Sequence, residues 1–423
     1  MNRSVLAACL GWMFSAVDII LLILFQEDVA HSLGVSVRTI QLATGVGLLG
    51  SALGGLTFAQ LGDRYGRVRT LGWCVIFYSL ATAGMALAPS AAVLIAMRFL
   101  SGVGTGGEWS VGFALVAEVS PRTGRGRLGG MVASFFNLGT FVAIILFQAP
   151  LGWRAAFAVM ALPALGVLWL RRNVPESPVW VAFQDARKRG DVDPALEARF
   201  RKAPLGQLFR GPVLAITLKT TLIFTLMNFA FYGFSTQFIE YLQSAGGLDL
   251  DKQHQAPYQL TINLVSLMAA VVGGWLSDRV SRRLVYAVLC LIGAAGFALL
   301  DLTMRGAGAA VPTGLLLILA VIVLGYGING VIGTITSEVF PTHLRSTGPG
   351  FCQNVGKGLG GLAGPIVAAT LLTGHGYAFV LTMPGLCFVA LALLIWTLPR
   401  ADARPFQAVE ADDYLAPRRV NDR

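Results

Sequence analysis

The chain has 423 residues, 55% of them hydrophobic and only 13% charged, where a soluble domain carries about 25% charged residues. The formal net charge of +10 is spread between long apolar runs, which excludes a soluble globular domain and argues against a nucleic-acid module. Four histidines give no metal cluster, no nucleophile–base constellation stands out, and all five cysteines (Cys9, Cys74, Cys290, Cys352, Cys387) fall inside apolar runs, where they read as free thiols packing as small apolar groups.

Apolar runs of roughly 20 residues recur along the whole chain, each long enough to cross a hydrocarbon core of about 30 Å. Helices are predicted at 4–25, 38–61, 69–88, 91–119, 128–150, 152–171, 212–242, 257–277, 283–303, 311–339, 346–374 and 375–398. The first run follows Arg3 but is too long for a signal h-region and lacks a clear small-residue cleavage site, so it reads as a retained helix. Placing both termini in the cytoplasm puts 25 of the 32 Lys and Arg residues in tails and inner loops. That asymmetry is the positive-inside rule. It predicts a multi-pass protein of the cell inner (plasma) membrane.

The longest polar interruption divides six helices from six. The expected organisation is an N-terminal bundle (1–171), a cytoplasmic linker (172–211), a C-terminal bundle (212–398) and a cytoplasmic tail (399–423). The halves repeat each other. Asp63-Arg64-x-Gly66-Arg67 after helix two matches Asp278-Arg279-x-Ser281-Arg282 after helix eight. Glu118-Val-Ser-Pro121 with Arg125 after helix four matches Glu338-Val-Phe-Pro341 with Arg345 after helix ten. The two offsets, 215 and 220, nearly agree, which points to a parallel six-helix repeat with a site between the halves near mid-membrane.

With these motifs the chain resembles the major facilitator superfamily over nearly its whole length. DRYGR (63–67) is similar to the signature between helices two and three, although Ala59 stands where a glycine is usual and Ser281 replaces the glycine of the second copy. EVSPRTGRG (118–126) and PESPVW (175–180) resemble the sugar-porter branch, and RFLSGVGTGGEW (98–109) with NVGKGLGG (354–361) resembles the sialate and monocarboxylate proton symporters. The implied fold is an all-α membrane protein of twelve helices in two pseudo-symmetric bundles. The implied activity is proton-coupled symport of a small organic acid, a monocarboxylate or sugar acid, by alternating access. It needs no cofactor beyond a proton gradient, and its partners are protons, a small anionic substrate and the bilayer; a monomer suffices.

Two readings stand for the repeated charges Asp63, Arg64, Arg67, Glu118, Arg125, Asp278, Arg279, Glu338 and Arg345. They form a cytoplasmic gate of individually weak ion pairs, roughly 0–1 kcal/mol each, or they only set topology. Acidic partners at matched positions favour the gate, since orientation alone does not need them.

An ionisable residue within a membrane helix is a functional candidate by default. Asp18 and Arg98 each lie seven residues from the outer ends of helices one and four, about 10 Å below the same surface at 1.5 Å per residue, and so can pair. The sugar-porter resemblance implies a proton-coupling pair; a static buried ion pair is the alternative. Glu108, after Gly106 and Gly107, is read as a second protonatable group, or as a carboxylate neutralised by a structural partner. Lys357, about eleven residues into helix eleven, invites an anionic substrate or pairs with Asp18 or Glu108; the carboxylate symporters tend to carry arginine there. Lys219, near the inner end of helix seven, reads as snorkelling. Gln353 lies one turn from Lys357, and with Asn228, Tyr232 and Asn329 it is expected to line a polar cavity, or to make interhelical hydrogen bonds. Glycines spaced by four (Gly50 and Gly54, Gly102 and Gly106, Gly356, Gly360 and Gly364) predict close helix packing, and GVGTGG lacks the Lys-Ser/Thr and βαβ context of a phosphate loop. Uptake of a neutral sugar or an aromatic acid, proton-driven efflux, and a non-transporting membrane receptor are the competing functions. Helix five lacks the glycine-proline signature of drug antiporters.

Overall fold

The computed structural model describes residues 3–119, 125–163, 166, 174–189, 204–307, 314–340, 344 and 347–399. Nine helices among them are long and apolar enough to cross a membrane. Helix one is Arg3–Leu24, two Val37–Tyr65, three Arg67–Met85 and five Arg125–Gln148; seven is Gly211–Gln243, eight Lys252–Ser277 and nine Arg282–Ala307. Helix ten runs from Leu315 to Val339 with one 3-10 turn at Tyr326–Ile328. Helix eleven starts at Thr347, and a left-handed Gly376 (φ 74°) breaks the run Thr347–Thr382 where helix twelve was expected to begin. Helix four, Ala91–Val119, is also long enough, but its glycines, Arg98 and Glu108 dilute its hydropathy. Trp153–Val159 opens helix six, and Pro384–Leu394 continues helix twelve.

The packing follows the repeat. Helix two lies along four, and helix one along five; six positions later, eight lies along ten and seven along eleven. Between the halves, helix two packs on eleven and helix five on eight, two contacts that exchange under the same six-helix shift. These are two six-helix bundles related by pseudo-symmetry. The spaced glycines make the close approaches. A Cβ at Gly102 or Gly106 would strike the backbone of Gly47 or Ser51 on helix two, and one at Gly360 would strike Thr225 on helix seven. All five cysteines are free, four of them buried.

The two membrane faces differ. On the side where Arg64, Arg67, Arg279 and Arg282 cluster, here the basic side, Glu176 of PESPVW caps helix three. Its Oε1 accepts from the backbone N–H groups of Arg67 and Val68 at 2.8 and 3.0 Å, satisfying two of the unpaired donors of a helix start. A side chain at Gly66 would collide with that carboxylate. In the second half, Arg282 bridges Asp278 (3.7 Å) and Glu338, while Arg279 lies 3.9 Å from the Trp275 ring centroid. Arg282, rather than Arg279, therefore joins helices eight, nine and ten. Arg64 is exposed, 5.2 Å from the Tyr65 ring centroid. The side chains of Asp63, Glu118 and Arg125, and all of Arg345, lie outside the described residues.

The opposite side is closed by hydrogen bonds between the halves. Gln26 donates to the Thr236 carbonyl (3.1 Å), Gln243 to the Leu24 carbonyl (3.0 Å), and Gln41 to Glu240 (2.6 Å) while accepting from Gln237 (3.1 Å). Lys252, the first residue of helix eight, pairs with Asp28 at 2.9 Å. Its ammonium sits against the edge-to-face pair of Phe25 and Phe147, 4.9 and 4.6 Å from their centroids, and Gln148 donates to its carbonyl at 2.6 Å.

Candidate functional site

Helices one and four bring Asp18 and Arg98 together. Arg98 Nη1 lies 2.7 Å from Asp18 Oδ2, and both residues are fully buried. Ser101 Oγ donates to the same Oδ2 at 2.6 Å, and Thr82 of helix three donates to Oδ1. The carboxylate thus receives three donors, which a buried ion pair needs to offset its desolvation. Arg98 fits because helix two carries a glycine opposite it: a Cβ at Gly47 would stand 2.8 Å from its Nε. Thr82, Ser101 and Gly47 were not singled out from sequence. Hydroxyls and glycines are common in membrane helices, and only their shared depth with Asp18 and Arg98 marks these three.

Glu108 is buried against helix one, where a Cβ at Gly11 would stand 2.6 Å from Oε1 and 3.1 Å from Cδ. Its Oε2 has no hydrogen-bond partner among the described residues. Lys357 is 3% exposed, and its Nζ has none either. No described carboxylate lies within ion-pair distance of Nζ, so neither the Asp18 nor the Glu108 pairing is made, although both carboxylates and Arg98 lie within electrostatic reach. Trp12 of helix one presents its ring to Nζ, with the ring centroid 5.7 Å away.

Trp12 belongs to a chain of rings that crosses between the halves. Its centroid lies 6.4 Å from Trp109 on helix four and 5.4 Å from Phe136 on helix five. Phe136 meets Phe231 of helix seven edge-on at 6.3 Å, and Phe231 meets Tyr232 and Tyr326 at 5.0 and 5.6 Å. Sequence pointed to Tyr232 alone of these. Aromatic residues are abundant throughout the chain, and no period separates those facing a central chamber from those facing lipid.

The polar candidates divide. Gln353 is buried, and its Oε1 has no partner among the described residues. Asn228 turns back to donate to the Phe224 carbonyl of its own helix (2.7 Å). Asn329 is exposed and donates to the Tyr326 carbonyl (3.0 Å). Lys219 is exposed and donates to the Thr397 carbonyl (3.0 Å), tying helix seven to the end of helix twelve.

Residues 5–365 match the family model described as Major Facilitator Superfamily. The chain belongs to this superfamily. It is 29% identical over 415 residues to the niacin transporter NiaP of Acinetobacter baylyi, with 91% of each chain covered. It is 30% identical over 404 residues to a probable 4-methylmuconolactone transporter of Cupriavidus pinatubonensis, covering 91% of this chain and 87% of the relative. Among solved structures, the proton:xylose symporter XylE bound to 6-bromo-6-deoxy-D-glucose aligns with a TM-score of 0.74 at 19% identity, covering 95% of this chain and 98% of that one. This superfamily member is a multi-pass membrane transporter of small organic molecules, not an enzyme.

Proposed function

We propose that this transporter is a proton-coupled symporter of small planar carboxylates. The observation that carries the reading is Lys357: a buried ammonium without a hydrogen-bond partner, beside a cross-half chain of aromatic rings. Burying an unpaired ion costs several kcal/mol, and a ligand carboxylate offsets that cost directly. Flat aromatic faces suit a flat ligand. Niacin, the cargo in one relative's name, is a pyridine carboxylate and has this shape and charge. Lys357 then anchors the carboxylate, Trp12, Phe136 and Phe231 flank the ring, and Tyr232 and Gln353 form the second-half wall, while Asn228 and Asn329, turned back to their own helices, play at most a supporting part.

Charge balance supports the coupling. Asp18 and Arg98 neutralise each other, and Glu108 balances Lys357 when both are ionised. A substrate monoanion leaves one excess negative charge in a low-dielectric chamber, and one proton on Glu108 removes it. Opening the Asp18–Arg98 pair during alternating access provides a second place to exchange a proton. On the basic side, Asp63, Arg64, Arg67, Glu118 and Arg125, with Asp278, Arg279, Arg282, Glu338 and Arg345, act as the gate that opens while the opposite side is closed. We assign the basic side to the cytoplasm, both termini included, in the cell inner membrane. The units are the 1–171 and 212–398 bundles, the 172–211 linker and the 399–423 tail.

The test is ligand binding to purified protein, followed by tryptophan fluorescence. Wild type binds nicotinate or benzoate, and Lys357→Ala weakens either by at least tenfold, while the effect on a neutral sugar is much smaller. Equal carboxylate binding by wild type and Lys357→Ala, or binding of neutral sugars alone, refutes the assignment.

A further inference from the structure

The buried polar atoms without a hydrogen-bond partner among the described residues include Lys357 Nζ and Glu108 Oε2 and, one turn before Lys357 on helix eleven, Gln353 Oε1. The proposed carboxylate and proton account for the first two. Gln353 Oε1 remains, and an amide oxygen is satisfied only by a donor. Leaving such an acceptor buried and unpaired is costly, so a ligand that supplies the donor binds better than one that does not. Gln353 precedes Lys357 by four residues on helix eleven, so both project from one face, about 6 Å apart along the axis. The helix is held in register next to Gln353, where Asn354 Nδ2 donates to Ser110 Oγ of helix four at 2.9 Å. A benzene ring carrying a carboxylate and a hydroxyl at opposite ends spans about the same length as one helical turn.

We propose that Gln353 is a specificity-determining residue, selecting ring carboxylates that carry a hydrogen-bond donor on the ring about one helical turn from the carboxylate. This rests on the carboxylate reading of Lys357 and adds a second recognition point to it. A site built to pair a hydroxyl discriminates strongly against the analogue lacking it, because its own polar group is then left unpaired.

The experiment measures Kd for benzoate, 4-hydroxybenzoate and 4-methoxybenzoate with wild type, Gln353→Leu and Gln353→Asn, with thermal unfolding as the check on folding. Wild type is expected to bind 4-hydroxybenzoate at least tenfold more tightly than benzoate, and 4-methoxybenzoate, which has an acceptor but no donor, should lose that gain. Gln353→Leu should collapse the hydroxybenzoate-to-benzoate ratio to within twofold, and Gln353→Asn should restore part of it. A wild-type ratio near one, a methoxy gain equal to the hydroxy gain, or a ratio that survives in Gln353→Leu overturns the proposal while the carboxylate site stands. Failure of wild type to bind any of the three overturns the carboxylate reading, and this proposal with it.

Discussion

The Asp18–Arg98 pair gives the sharpest energetic prediction, because its two members do not fail alike. Removing one partner of a buried pair leaves an uncompensated charge and costs about 3–5 kcal/mol. Asp18→Asn should approach the full cost: Arg98 is 1% exposed, and the acceptors left for Nη1, an amide oxygen, the residue-18 backbone carbonyl (3.2 Å) and Ser101 Oγ (3.4 Å), are all neutral. A guanidinium cannot shed its proton. Arg98→Gln leaves a carboxylate that keeps the Thr82 and Ser101 hydrogen bonds and can neutralise itself by taking up a proton. It should cost less, about 1–3 kcal/mol. The double variant removes both charges and should be more stable than Asp18→Asn alone, with a coupling energy of about 2 kcal/mol. The assay is denaturant or thermal unfolding of purified protein across the four-member cycle. Additivity within about 0.5 kcal/mol, or a double variant less stable than Asp18→Asn, would refute the reasoning.

Other regions make independent predictions. Gly11→Ala places a methyl group 2.6 Å from Glu108 Oε1, so it should abolish proton-driven uptake while costing only about 1–3 kcal/mol of stability; unchanged uptake would show that the Glu108 position against helix one does not matter. Lys252→Met removes the ammonium held by Asp28, Phe25 and Phe147, and should raise the labelling rate of a cysteine placed at Ser15 by a reagent added from the side opposite the basic one by tenfold or more. No change in labelling would remove Lys252 from the closure. Burial first, then Glu240, Asp28 and Asp249, hold the Glu27 carboxyl above its ordinary value, so the folded state binds the proton more tightly than the unfolded one. Stability should therefore rise as pH falls through that raised value. Glu27→Gln should raise Tm at neutral pH and lose its advantage in acid, whereas a loss of Tm at neutral pH would reverse the sign.

The sequence carried most of the architecture for a simple reason: a membrane helix must satisfy its own backbone and face lipid, so length and hydropathy mark it. Even the junction of helices eleven and twelve was expected at 374–375, beside the break at Gly376. The Asp18–Arg98 pairing was legible through depth arithmetic, since equal distances from one surface place two side chains at one level. Directions within the chamber were not legible. Asn228 and Asn329 carry polar side chains that turn back to carbonyls of their own helices, an option that side-chain spacing does not reveal. Arg279 and Arg282 both follow the repeat motif, and the backbone after helix eight turns the second, not the first, towards Glu338. The aromatic chain from Trp12 to Tyr326 is built from helices one, four, five, seven and ten, so it exists only once the bundles close on each other.

Accumulation of labelled nicotinate or benzoate in proteoliposomes, driven by a proton gradient with the membrane potential clamped, tests the coupled symport most directly. The account predicts uphill uptake by wild type, and with Glu108→Gln loss of that accumulation with carboxylate exchange at least partly retained. Undiminished accumulation by Glu108→Gln, or wild-type uptake indifferent to the proton gradient, would contradict it.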